Sequence, residues 1–162
     1  MIALRRIQYI PVANQCMLEK HSAMHETMKR FLALGDSYTV AESLAPQDRW
    51  PEQWARQVQA KGIPIVQPVP IIAQTGWTTD ELMQAITDAN PTGEWDWVSL
   101  LIGVNNQYRG RSVGNFRQEF KQLAEFASEL CRQGTDGVQV LSIPDWGQTP
   151  FGVASGSNLQ QV

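Results

Sequence analysis

The sequence is poor in charge, in cysteine and in histidine. Asp, Glu, Lys and Arg make up 18% of its 162 residues, with 13 basic against 16 acidic side chains and a net charge of −3. That balance lacks the basic surplus that grips a phosphate backbone, so a nucleic-acid partner is not expected. Cys16 and Cys131 are too few and too far apart for a disulfide scaffold or a Cys-x-x-Cys metal pair. No run approaches the roughly 18 apolar residues that cross a bilayer. The opening Met1-Ile2-Ala3-Leu4-Arg5-Arg6 leads into no continuous apolar stretch, because Gln8, Asn14, Gln15, Glu19 and Lys20 interrupt it. A secretory signal is therefore not expected, and the default compartment is the cytoplasm. Neither Gly-x-Gly-x-x-Gly nor Gly-x-x-x-x-Gly-Lys occurs, so no nucleotide cofactor is expected either.

What is present is enough apolar material, 43% of residues, for one buried core in one domain. The segment 1–27 has no clear periodicity and reads as a poorly ordered extension; the domain is expected to occupy 28–162. From Phe31 onward, short apolar runs alternate with stretches of helical period, the pattern of βαβ units around a parallel sheet. Strands are expected at Arg30–Leu34, within Ile63–Ala73, at Trp97–Ile102 and at Val138–Ile143. Pro64, Pro68 and Pro70 cannot donate to a ladder, which puts the second strand, shortened, at a sheet edge. Helices are expected at Pro51–Ala60, from Thr78 to Ala89, and from Val113 to Leu130, where apolar residues recur at three and four. Trp50, Trp54, Trp95 and Trp97 read as core.

Open parallel sheets bind ligands beyond the carboxyl ends of their strands, so the residues following each strand carry the chemistry. They are Gly35-Asp36-Ser37 after the first, Gln74-Thr75-Gly76-Trp77 after the second, and Gly103-Val104-Asn105-Asn106 after the third. Ser37, Gly76 and Asn105 would meet at one edge. Taken singly, they also read as a helix cap, a turn glycine and an Asx turn. Asp36 reads as a turn former. Trp77 and Trp146, at strand ends beside this edge, are candidates for an aromatic wall against substrate, with core packing as the alternative. Tyr108 and Arg109, just past Asn105, read as a solvated loop, with contact to substrate as the alternative.

In this order the three blocks resemble the SGNH hydrolases, the GDSL-like lipase/acylhydrolase family. The resemblance covers about Met28 to Phe151. It implies a three-layer α/β/α flavodoxin-like sandwich and a serine ester hydrolase acting on small acyl or acetyl esters without metal or other cofactor. It further implies Ser37 as nucleophile, and an oxyanion hole made of the Ser37 and Gly76 N–H groups and the Asn105 side-chain amide. Asn106 stands where the family has aspartate. The family's base, a histidine in a late Asp-x-x-His block, has no counterpart: the only histidines, His21 and His25, precede Ser37. The expectation is a chain cut before its last strand and helix, and the alternative function is an inactive fragment or a non-catalytic binding protein of the same fold.

Overall fold

The computed structural model describes residues 28–154; the expectations for 1–27, and for the chain after 154, lie outside the described residues. Four parallel strands, β1 (Phe31–Gly35), β2 (Ile71–Ala73), β3 (Trp97–Leu101) and β4 (Val138–Val140), form one sheet in the order β2-β1-β3-β4. β1 (Phe31–Gly35) is buried along its whole length, as a central strand covered on both faces must be. Its side chains alternate between the two faces. Phe31 and Ala33 meet Ala55 of α2 (Trp50–Ala60), with Trp50, Trp54 and Trp97 packed around them. Leu32 and Leu34 face the other way and join Val98 and Leu100 of β3 (Trp97–Leu101). There they pack on Leu82 and Ile86 of α3 (Thr79–Ala89) and on Leu123 and Ala127 of a long helix at Val113–Leu130. Helices cover both faces, which makes the three layers the resemblance implied.

The second strand is shorter than its apolar run. Ile65 makes a single bridge to Lys29, the prolines interrupt pairing, and β2 proper is Ile71–Ala73, at the edge beside β1. β4 was expected to reach Ile143 and stops at Val140. Its partner β3 ends at Leu101, and the last rung is the Leu141 N–H donating to the Leu100 carbonyl at 3.0 Å. Trp95 is buried and Trp97 half-buried, both packed on the core as expected, and the Arg30 guanidinium lies 4.2 Å from the Trp95 ring centre. Asp96 accepts from Lys29 Nζ at 2.9 Å and from the Arg30 N–H at 2.8 Å, tying the entry to β1 onto β3. Among the described residues no helix is long and apolar enough to cross a membrane, and no cluster of three metal-ligating side chains occurs.

Candidate active site

β1 and β3 are neighbours whose ends coincide, Gly35 opposite Leu101. The chain leaves β1 toward β2 on one side and returns to β3 on the other, so the crevice between their carboxyl ends is the sheet's switch point. A side chain at position 35 would collide with Thr39 Oγ1 and the Leu101 carbonyl oxygen. Glycine there lets the short helix α1 (Ser37–Val40) fold back over the strand ends. Asp36 caps that helix, its Oδ1 accepting the Tyr38 N–H at 3.0 Å. The Asp36 side chain is fully buried with Oδ2 unpartnered, and burial raises its carboxyl from 3.8 to about 6. Ser37 is the first residue of α1, half-buried, and its hydroxyl makes no hydrogen bond to any described residue.

After β2 the chain turns at Gln74–Trp77, closed by the Trp77 N–H donating to the Gln74 carbonyl at 3.3 Å. Gly76, third in the turn, has φ +90 while Thr75 keeps an ordinary negative φ, the type II pattern that favours glycine at this position. Beyond β3 the chain forms a helix that no periodicity announced, α4 (Val104–Tyr108), followed by α5 (Val113–Leu130). Three side chains of α4 and its C-cap hold the β2 turn and the start of α3 that follows it. Asn105 Nδ2 donates to the Trp77 carbonyl at 2.8 Å. Arg109, one helical turn on at the end of α4, donates from Nη2 to the Gly76 carbonyl at 2.6 Å. Asn106, 2% exposed, accepts the Thr79 N–H at 3.1 Å and donates from Nδ2 to Thr79 Oγ1 at 2.6 Å. The Thr78 N–H in turn donates to Glu81 Oε2 at 2.8 Å, holding that carboxyl below its usual range. Four consecutive residues, 76 to 79, each have a backbone group engaged by a side chain.

Ser37, Tyr38, Val104, Asn105, Tyr108 and Trp146 line one open cleft of about 340 Å³. The sequence-predicted residues divide at its wall. Ser37, Asn105 and Trp146 share the lining. Trp146 is 9% exposed, its Nε1 donates to Gln107 Oε1 at 3.3 Å, and its ring lies 5.8 Å from that of Tyr108. Gly76 is not on this lining; it joins the cleft indirectly, through the bond between its neighbour's carbonyl and Asn105. Trp77 presents that carbonyl to the site, while its ring packs against the core formed by β1, β3, α3 and α5. Tyr38 was not singled out from the sequence. Nor was the grip of Arg109 on Gly76, because the residues after Asn105 read as a loop.

Residues 33–162 match the model of the family described as GDSL-like Lipase/Acylhydrolase. No curated protein sequence matches the chain significantly. Among solved structures, TesA superposes with a TM-score of 0.62 at 19% identity, over 81% of this chain and 70% of its own. EstA from Pseudoalteromonas sp., described as a psychrotrophic esterase, gives 0.57 at 18%, over 74% and 64%. AlinE4, described as an SGNH-hydrolase family esterase, gives 0.55 at 21%, over 71% of this chain. At such identities the likeness is one of fold, and the chain spans 58% of the length of AlinE4.

Proposed function

Because the chain belongs to the GDSL-like lipase/acylhydrolase family, we propose that it is a serine ester hydrolase for small acyl esters, with Ser37 as the nucleophile. The observation that carries this reading is the placing of Ser37 and Asn105 on one cleft at the switch point of the sheet. Ser37 Oγ attacks the acyl carbon and gives up its proton to a base. The tetrahedral oxyanion then collapses to an acyl-serine as the alcohol leaves with a proton, and water releases the acid by the same route. Three donors serve the oxyanion: the Ser37 N–H, the Gly76 N–H and Asn105 Nδ2. The Asn105 amide has given one hydrogen to the Trp77 carbonyl. Its orientation is thereby set before substrate arrives, and its second N–H is left for an oxygen in the cleft. Preorganised donors of this kind stabilise charge that develops only in the transition state, and losing one typically costs roughly 100- to 1,000-fold in rate. Trp146 and Tyr108 supply an apolar wall for the acyl or alcohol group.

A serine hydroxyl is a weak nucleophile without a neighbouring base. Within these 162 residues the only imidazoles are His21 and His25. This favours a second reading, a binding protein that keeps the cleft and does not turn over. Hydrolysis of a short p-nitrophenyl ester separates the two, with Ser37→Ala as background in protein shown to be folded. The first reading expects turnover that S37A abolishes, and that a His21→Ala/His25→Ala double variant also loses if either imidazole is the base. Equal rates in the parent chain and S37A would leave the binding reading in place.

A further inference from the structure

Arg109 does more than form a surface ion pair. Its Nη1 donates to Glu81 Oε1 at 3.3 Å while Nη2 donates to the Gly76 carbonyl at 2.6 Å. Asn105, four residues earlier, holds the next carbonyl along, that of Trp77. Two adjacent carbonyls of the β2 turn are thus gripped by side chains four residues apart, Asn105 on α4 and Arg109 as its C-cap. The Gly76 carbonyl and the Trp77 N–H belong to one rigid peptide plane, and that N–H closes the type II turn on Gln74. Holding this plane constrains ψ of Gly76, and so, together with its φ of +90, the angle between this plane and the preceding one that carries the Gly76 N–H. A guanidinium suits the task because its planar fork engages two acceptors at once, the carbonyl and the Glu81 carboxylate. Glu81 is itself held by the Thr78 N–H.

We propose that Arg109 is a positioning residue for the oxyanion hole: it sets the Gly76–Trp77 peptide, and so the Gly76 donor, against Asn105. The proposal rests on the ester-hydrolase reading for what the donor does, but the positioning itself is measurable without turnover. The test compares Arg109→Ala and Arg109→Lys with the parent chain, and with Arg111→Ala as a control. Arg111 forms a partly exposed ion pair with Asp80 at 2.6 Å and makes no hydrogen bond to the turn.

Backbone amide exchange with water, read by NMR, is expected to quicken at Trp77 about tenfold in R109A, the scale of one hydrogen bond. The Gly76 amide resonance should shift with it. R109K should fall between R109A and the parent, since an ammonium holds the carbonyl or Glu81 but not both in one plane. R111A and the β1 and β3 amides should not change. In ester hydrolysis, R109A should lower kcat about tenfold with KM unchanged, as loss of a donor used only in the transition state requires. Unchanged exchange at Trp77 in both Arg109 variants overturns the proposal whatever the rates do. A raised KM with unchanged exchange overturns it too, and makes Arg109 a substrate contact instead. Should the parent chain show no turnover above S37A, the ester-hydrolase reading fails alone, and the exchange rates still decide whether Arg109 sets the peptide.

Discussion

Asp36 serves two masters at the end of β1. As a cap it has to offer an oxygen to the Tyr38 N–H, and as the residue beneath α1 it has to sit wholly inside the protein. The second demand wins electrostatically: burial raises its carboxyl to about 6, with the bond from Tyr38 only partly offsetting that. The sign follows from linkage. A carboxyl whose folded value lies above its unfolded one binds protons more tightly in the native state. Its contribution to stability therefore falls as pH rises from 3.8 to about 6, and is constant above. Asp36→Asn keeps the capping oxygen and removes the titration. The difference in Tm between the parent chain and D36N should change across pH 4 to 6.5 in favour of D36N as pH rises, and level off beyond. A difference that is flat through that range would mean Asp36 titrates near its ordinary value. Taking the difference between two proteins cancels Asp80, Glu81 and Asp96, whose lowered carboxyls act in the opposite sense.

Among the elements, α4 carries the most consequence per residue. Five residues long, it is too short to show helical period, which is why Val104–Tyr108 reads from sequence as a loop after a strand. α5 and α3 were legible for the opposite reason: Phe116, Phe120, Leu123 and Ala127, and Leu82, Met83 and Ile86, mark buried stripes long enough to count. Strand positions were legible from apolar runs, but their ends were not, because a ladder stops where its partner stops. That is how β4 came to end three residues before its apolar run does. The candidate site residues were singled out by their place after strands and by the resemblance of the three blocks to the SGNH hydrolases. What joins them, the hydrogen bonds from Asn105, Asn106 and Arg109 to residues 76, 77 and 79, depends on the third dimension. Asn106 shows it best. Aspartate at that position could only accept, whereas the amide accepts the Thr79 N–H and donates to its hydroxyl, which then directs its own proton to Glu119 on α5. Asn106→Ala would leave the fully buried Thr79 N–H unpaired. We expect a loss of about 1–3 kcal/mol in urea unfolding with an unchanged slope; a loss below about 0.5 kcal/mol would show that water replaces the amide there.

At the scale of the whole molecule, the two edges of the sheet differ. β2 is blunted by chemistry: three residues long, it follows a stretch where Pro64, Pro68 and Pro70 offer no N–H, so nothing can pair along it for any distance. β4 has β3 as its single partner among the described residues and no proline until Pro144. Gln139 is exposed, and Val140 is 57% exposed. An open strand carrying an uncovered β-branched side chain is a template for another strand, whether from a second copy or from elsewhere. The burial of β1 and β3 shields the centre of the sheet, so association is expected to begin at this edge and not at the site. Val140→Lys places a charge on it, the device by which natural edges resist pairing. Because the side chain is already largely in water, stability should stay within about 0.5 kcal/mol of the parent. The concentration at which light scattering and sedimentation first report association should rise. Met28→Lys, which changes an equally exposed apolar residue outside any strand, serves as the control and should leave that concentration where it was. If both variants act alike, association follows general surface hydrophobicity, and the β4 edge has no special part in it.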